Sequence, residues 1–591
     1  MRASQHHPSL LRCLVGCILL LLAVLQAADS PATQTKRFTF FSDTQYPLEV
    51  FFLQGQRKGP TVMVQGGIQG DEVSGYLTAE LLTQAEVHRG NLIVIPRANV
   101  PAILQRTRRV NVDLNRCFGK DEGRFYEYDL ARVIRHLVKR SDAFIHLHEG
   151  YGFYNPEYIN HLRNPNRFGQ SVIIDTAVYK DKFFLAHAVN QVLPHVNANI
   201  IPADYHFQLF NTRTNSRDTQ HPEQRSSLTY FALTQAEVPA VAIEVSKNIK
   251  DLNWKIEHQL QATHKFLQHY GVDVRLPDAP KASTDEGAPQ GEARQPELLV
   301  NGKAFPPGAE APINILSSLR VRFASGQASA PKLSPARGLF LEGNQDLNLL
   351  NVNHVPSHQG SSLELVADGK KQASWPVRWT SPQSLSFFER PVFVCSLNGE
   401  LRFISKDETL LAHEGDRLLL LGLWNQRRKE VLNVKGYVSH PGKNDGQDIG
   451  QEIILDRQRF LSRYLLPASD RVSDWRIEIV RETKGEPESR FSVHVLPRRV
   501  LGVRLKSQAQ GHLVFPVQPE ASYFLEPGTY SLQSLIPGGY REAVQPFLGD
   551  WPIEWGETFH LRGGEKISLS LYQDNTFRKT GELVLSGSKK N

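Results

Sequence analysis

The chain has 591 residues, which by length alone points to several domains rather than one. Its 68 basic and 61 acidic residues leave a formal charge of +7. That is too thin over this length to argue for nucleic acid, though it suits work near anionic wall polymers. Only four cysteines are present, Cys13, Cys17, Cys117 and Cys395, so a disulfide framework is excluded.

Arg2 and Arg12 flank the start of an apolar run from Leu14 to Leu25, followed by Gln-Ala-Ala. Residues 1–28 are therefore expected to be a secretory signal peptide, since the run is short of the ~20 residues a membrane span needs. Cleavage near Ala27 or Ala28 is expected, but neither site has a small residue at minus three, so an uncleaved anchor stays open. Leu14-Val-Gly-Cys17 imitates a lipoprotein box, yet its apolar stretch follows the cysteine instead of preceding it. The implied location is periplasmic or secreted, with no stable membrane span after signal cleavage.

Residues 37–275 alternate strand-like and helix-like patterns. Strands are predicted at 61–65, 92–96, 142–147, 204–210 and 239–245, and helices at 71–86, 126–139, 183–196, 226–236 and 251–270. Such alternation predicts an α/β sandwich with a mixed sheet. Residues 276–298, polar and rich in Pro and Gly, read as a linker. Beyond them come short alternating runs, among them Leu316–Phe323, Asp416–Leu421, Trp475–Val480 and Phe491–Val495. These predict several small antiparallel β domains, placed at 299–385, 386–500 and, as an additional C-terminal module, 501–591.

Three strand ends carry polar residues. Thr61-Val-Met-Val-Gln65 runs into Gly66 and Gly67 and then Gln69-Gly-Asp-Glu72, before helical spacing begins at Val73, Tyr76, Leu77, Leu81 and Leu82. Taken alone, this is a joint whose acidic residues suit a helix dipole. Asp142-Ala-Phe-Ile-His146-Leu-His148 puts both histidines on one face, with His148 toward the carboxyl end where open α/β sheets place their sites. Pro239-Ala-Val-Ala-Ile243 delivers Glu244, and a carboxylate closing such a run is unusual unless it is paired or working. Between the first two strands lies Arg108-Arg-Val-Asn-Val-Asp-Leu-Asn115-Arg116, which by itself reads as a solvated basic loop.

In order and in kind, Gln69, Glu72, Arg108, Asn115, Arg116, His148 and Glu244 resemble the zinc carboxypeptidase superfamily, with glutamine where the first ligand is ordinarily histidine. That substitution is similar to the cell-shape D,L-carboxypeptidases that trim peptidoglycan peptides. His148–Tyr154, His221–Arg225, Glu244–Lys247 and Leu432–Val438 fit the same likeness, which covers about 37 to 500. The resemblance implies a Zn2+ held by Gln69, Glu72 and His148, Glu244 as general base and Arg108 on the oxyanion. Asn115 and Arg116 would hold the substrate's terminal carboxylate, and Asp113 would be an orienting partner rather than a catalyst. Tyr151, Phe153 and Tyr154 either line the cleft or pack, while Arg106 and Arg109 read as surface ion-pairing residues. The implied partner is a peptidoglycan tripeptide stem, releasing meso-diaminopimelate, and no nucleic acid. Two other classes stay open. One is an amidohydrolase of small acyl amino acids, of the succinylglutamate desuccinylase and aspartoacylase type. The other is a non-catalytic wall-binding protein.

Overall fold

A computed structural model describes residues 33–120, 122–277, 295–323, 335–356, 360–380, 392–424, 430–441, 446–467, 473–518, 520–537 and 543–588. The expected signal peptide and most of the expected linker lie outside these residues. Among the described residues no helix is long and apolar enough to cross a membrane.

The first part of the chain forms a nine-stranded mixed sheet. Its strands are β1 (Gln34–Phe40), β2 (Leu48–Gln54), β3 (Arg57–Gln65), β4 (Glu86–Ile95), β5 (Ala143–Gly150), β6 (Ser171–Ile174), β7 (Gln208–Asn211), β8 (Ala240–Ser246) and β9 (Asp273–Arg275). Their order is β1-β2-β4-β3-β5-β8-β6-β7, with β9 added beside β4. The centre, β4-β3-β5-β8, is parallel, whereas β2 and β6 join it antiparallel. The helices are α1 (Val73–Leu82), α2 (Val100–Gln105), α3 (Tyr126–Val138), α4 (Leu185–Asn197), α5 (Leu228–Thr234) and α6 (Leu252–His269).

The pleat divides the core. Val62, Val64, Ile145, Leu147, Val241 and Ile243 pack against α1, α4 and α6. Met63, Phe144 and Ala240 face the other way, against α3 and α5. By the same period of two, His146, His148 and Glu244 belong to the second face. There α5, only seven residues long, leaves the strand ends uncovered.

The predicted elements of this region are present with shifted limits. The expected helix over 71–86 stops at Leu82, because Glu86 already begins β4. That strand starts six residues earlier than expected, since Glu86–Arg89 is the part that pairs with β9. The expected strand at 204–210 is instead a short 3-10 turn at Ala203–Tyr205 followed by β7. Strands β1 and β2, the short β6 and β9 were not anticipated.

From Glu297 onward the described residues form small β sheets. They are mostly antiparallel, with three exceptions at sheet edges. Ala311–Ile313 runs parallel to Lys370–Trp379, Thr409–His413 to Ser489–Leu496, and Ser522–Leu525 to Lys579–Gly587. A single apolar cluster joins Leu298 and Trp375 to Leu419, Leu421 and Trp424. The last sheets fold back on the α/β core. Phe547 and Phe577 enter the cluster of β1 and α3, and both pack edge-on against the His136 ring. Buried there, His136 has its pKa pushed down to about 3. Arg459 reaches back as well, forming a buried ion pair with Asp129 of α3.

Candidate active site

The loop after β3 places the first two side chains. Gly67 has a φ of +66°, which an L side chain tolerates poorly, so the chain can turn sharply as the strand ends. At Gly70 a Cβ would lie 1.9 Å from the Ala102 carbonyl oxygen, so only glycine fits. Glu72 occupies the position that would cap α1, yet its side chain makes no cap hydrogen bond. Instead Glu72 Oε2 lies 2.8 Å from His148 Nδ1 and accepts the Glu149 N–H at 3.2 Å. The dipole explanation for this carboxylate is therefore replaced by a partner across the sheet.

Gln69 is buried, and its amide nitrogen donates to both oxygens of Asp113, at 3.2 and 3.3 Å. Asp113 also accepts from Arg108, at 2.8 Å from Nη2, and from the Asn115 N–H at 3.0 Å. Since an acceptor faces the amide nitrogen, the Gln69 carbonyl oxygen points away from Asp113. Asp113 thus orients Gln69 and Arg108 and caps the turn Leu114–Arg116. Asn115 Oδ1 accepts from the Leu228 N–H at 3.0 Å, which leaves its Nδ2 hydrogens for another partner. Arg116 Nη1 donates to the Asn115 carbonyl, and among the described residues no carboxylate lies within 4 Å of it.

His148 Nε2 lies 3.0 Å from His146 Nδ1. Burial and the neighbouring His148 hold His146 well below the usual histidine range, so it is neutral. For His148, burial pulls downward but is outweighed by Glu72 and Glu244, and its pKa is raised. His148 Nδ1 lies 2.8 Å from a carboxylate oxygen of Glu72. That contact requires a proton or a cation between them. The Gln69 carbonyl oxygen, Glu72 and His148 form a donor set of the number and chemistry a catalytic metal takes. Among the described residues no three His, Cys, Asp or Glu side chains group as a metal-holding cluster. This set has only two of those types, its third donor being an amide.

Glu244 sits beside His148 in the parallel β5–β8 register. Burial pushes its carboxyl up to about 7, with His148 opposing and Glu72 adding. Behind the site, Glu149 takes the Ser74 N–H at 2.6 Å and the Lys255 ammonium at 2.8 Å. Gln259 of α6 donates to the carbonyls of His148 and Ile243 at 2.9 and 3.1 Å, pinning the two strands. Lys247 binds Asp71 at 2.5 Å.

All seven predicted residues, Gln69, Glu72, Arg108, Asn115, Arg116, His148 and Glu244, line one open cavity of about 410 Å³. Tyr151 lines it too, 67% exposed, whereas Phe153 and Tyr154 stack on Tyr205 and Phe210. Arg106 donates to the Asp368 carbonyl of the β region. Cys117 and Cys395 are buried and free. The sequence reading missed the His146 contact, the Glu149–Lys255 pair and Asp175, which lines the same cavity. Asp175 closes the apolar run Ser171–Ile174 as Glu244 closes its own, so the same signal was there to find it.

Residues 48–279 match the family model described as "Carboxypeptidase controlling helical cell shape catalytic". The match covers the α/β region from β2 onward and ends before the small β sheets begin. The N-alpha-acetyl-L-2,4-diaminobutyric acid deacetylase of Halomonas elongata is 35% identical over 100 residues, which is 16% of this chain and 29% of that protein. The chain thus spans under a third of the curated relative it matches. Among solved structures, tripeptide-bound cell shape determinant Csd4 of Helicobacter pylori is 21% identical, covering 74% of this chain and 96% of its own, with a TM-score of 0.41. A succinylglutamate desuccinylase/aspartoacylase of Rhodobacter sphaeroides is 18% identical, covering 44% and 70%, with a TM-score of 0.30. The matched segment holds all seven residues of the cavity's predicted set.

Proposed function

We propose that the protein is a periplasmic, zinc-dependent D,L-carboxypeptidase that trims peptidoglycan tripeptide stems and releases meso-diaminopimelate. The observation that carries this is that Gln69, Glu72 and His148 line one cavity that also holds Glu244 and an unpaired Arg116. The family description names a carboxypeptidase, and the choice of stem rests on the motif resemblance around Gln69, His148 and Glu244. The signal-like N-terminus supports the location.

Gln69, Glu72 and His148 would hold the zinc, which when bound lowers the pKa of a water and polarises the scissile carbonyl. Glu244 takes the proton of the attacking water and returns it to the leaving amine. Arg108 spends Nε and Nη2 on Asp113, leaving Nη1 to meet the oxyanion. The Asn115 Nδ2 hydrogens and the Arg116 guanidinium hold the terminal carboxylate. A clamp of this kind fixes the cut one residue from the end.

The test is a digest of purified muropeptides with and without chelator, read by mass. Tripeptide stems should lose diaminopimelate only without chelator, and tetrapeptide stems should stay whole. The Halomonas elongata relative favours a second reading, deacylation of a small N-acyl amino acid. Release of acetate or succinate from such compounds, with tripeptides untouched, would decide for it.

A further inference from the structure

The cavity wall contributed by β6, β7 and α5 carries a carboxylate that no step above uses. Asp175 follows β6, is 4% exposed and lines the cavity. The hydroxyls of Thr214 and Thr229 stand near enough to favour its charged form. Among the described residues no cation lies within 4 Å of it. A buried carboxylate is ordinarily paired with a cation, because desolvating the charge is expensive. Two other buried carboxylates near the site follow that rule, Glu149 with Lys255 and Asp113 with Arg108, whereas Glu244, the base of the reading above, lines the cavity without an ion pair among the described residues. Asp175 has no ion pair among the described residues, and it lines the cavity. Arg116 is near enough to pull on its charge without contacting it. Besides Glu244, the cavity therefore holds a second buried carboxylate without an ion pair among the described residues, and Arg116 lines the same cavity as a cation without one.

We infer that Asp175 determines specificity by receiving a side-chain ammonium of the terminal residue, selecting a diamino acid over its mono-amino counterpart. The orientation rests on the reading above, in which Arg116 and Asn115 hold the terminal carboxylate. A side chain that carries an ammonium supplies the missing cation, whereas one that lacks it leaves the carboxylate desolvated and unpaired. With no ion pair of its own, the carboxyl has lone pairs free to meet the ligand.

Calorimetry with the zinc-loaded full chain compares meso-diaminopimelate with 2-aminopimelate, which lacks only the second amine. Diaminopimelate should bind at least about tenfold tighter, the low end for a charge-assisted pair. In Asp175→Asn that ratio should fall to near one. Asp175→Ser is made in parallel, with unfolding temperature as the check, so that one folded variant suffices. Equal affinities in the wild type, or an undiminished ratio in a folded variant, would overturn the inference. Binding is read without turnover. A protein that selects diaminopimelate through Asp175 yet leaves tripeptides uncut would therefore sink the peptidase reading alone.

Discussion

On one wall of the cleft, Glu72 and His148 come from a helix start and a central parallel strand, and Glu244 stands in register beside them. On the other, Arg116 comes from a short turn and Asp175 from the end of a strand joined antiparallel to the sheet. Charges behind and around the first wall are paired within the protein: Glu149 with Lys255, Asp113 with Arg108, Asp71 with Lys247. Among the described residues Arg116 and Asp175 have no opposite charge within 4 Å. A pre-paired wall holds reacting groups still, since the protein has already met the cost of orienting them. An unpaired wall leaves its charges for the ligand, and so discriminates between ligands.

The largest effect should come from the first wall. Glu244→Ala should cut turnover of a tripeptide by ~10²–10⁴-fold, the usual weight of a general base, with zinc retained by elemental analysis. Loss of zinc along with activity would make Glu244 a ligand and merge the two roles. From the second wall, Arg116→Ala should raise KM by about 10–150-fold, the equivalent of ~1.5–3 kcal/mol for a lost charge-assisted contact. Zinc content should not change. A tripeptide ending in carboxamide should already be poor for the wild type and lose little more in the variant. If the free acid and the amide are cut equally, Arg116 is not the clamp.

Much of the first wall was legible in the sequence because each member closes an apolar run or a glycine turn: Gln69 and Glu72 after Gly66-Gly67, His148 after Phe144-Ile145, Glu244 after Val241–Ile243. Local pattern sufficed there, since the period of two fixes the face on which each side chain stands. The second wall was half legible. Arg116 came from its motif, whereas Asp175 gains meaning only from Thr214 and Thr229, some 40 and 54 residues further along. Phe547 and Phe577 were unreadable for the same reason, since nothing in their own local sequence says that they bury against α3. Strand β6 is four residues long, too short for periodicity to separate it from loop.

Asp113 joins the walls and gives a smaller effect. It fixes the Gln69 amide on one side and Arg108 on the other. Asp113→Ala should weaken zinc by roughly 10–100-fold, as losing a ligand's orienting partner typically does. A chelator competition measures it. Unchanged affinity would mean that Gln69 holds its orientation without help.

The smallest effect separates a functional Asp175 from a merely structural one. Burial raises its pKa from 3.8 to about 6, with Thr214, Thr229 and Arg116 pulling against the shift. Glu223 also lines the cavity, and Tyr230 stands near enough to feel its charge. Because the folded pKa is raised, the folded state binds the proton more tightly than the unfolded chain does. The stabilisation is full below 3.8 and is lost as pH rises through about 6. The ionised form should thus cost the free protein up to about 3 kcal/mol at neutral pH. Asp175→Asn should therefore melt higher than the wild type at pH 7.5, with the gap closing toward pH 4. Affinity for diaminopimelate should run the opposite way in the wild type, rising through about pH 6 by at most ~tenfold per unit, and should be flat in the variant. A carboxylate kept only to brace the fold would reverse the first result, and Asp175→Asn would then melt lower at pH 7.5. A group that weakens the empty protein and tightens the filled one is held for its ligand.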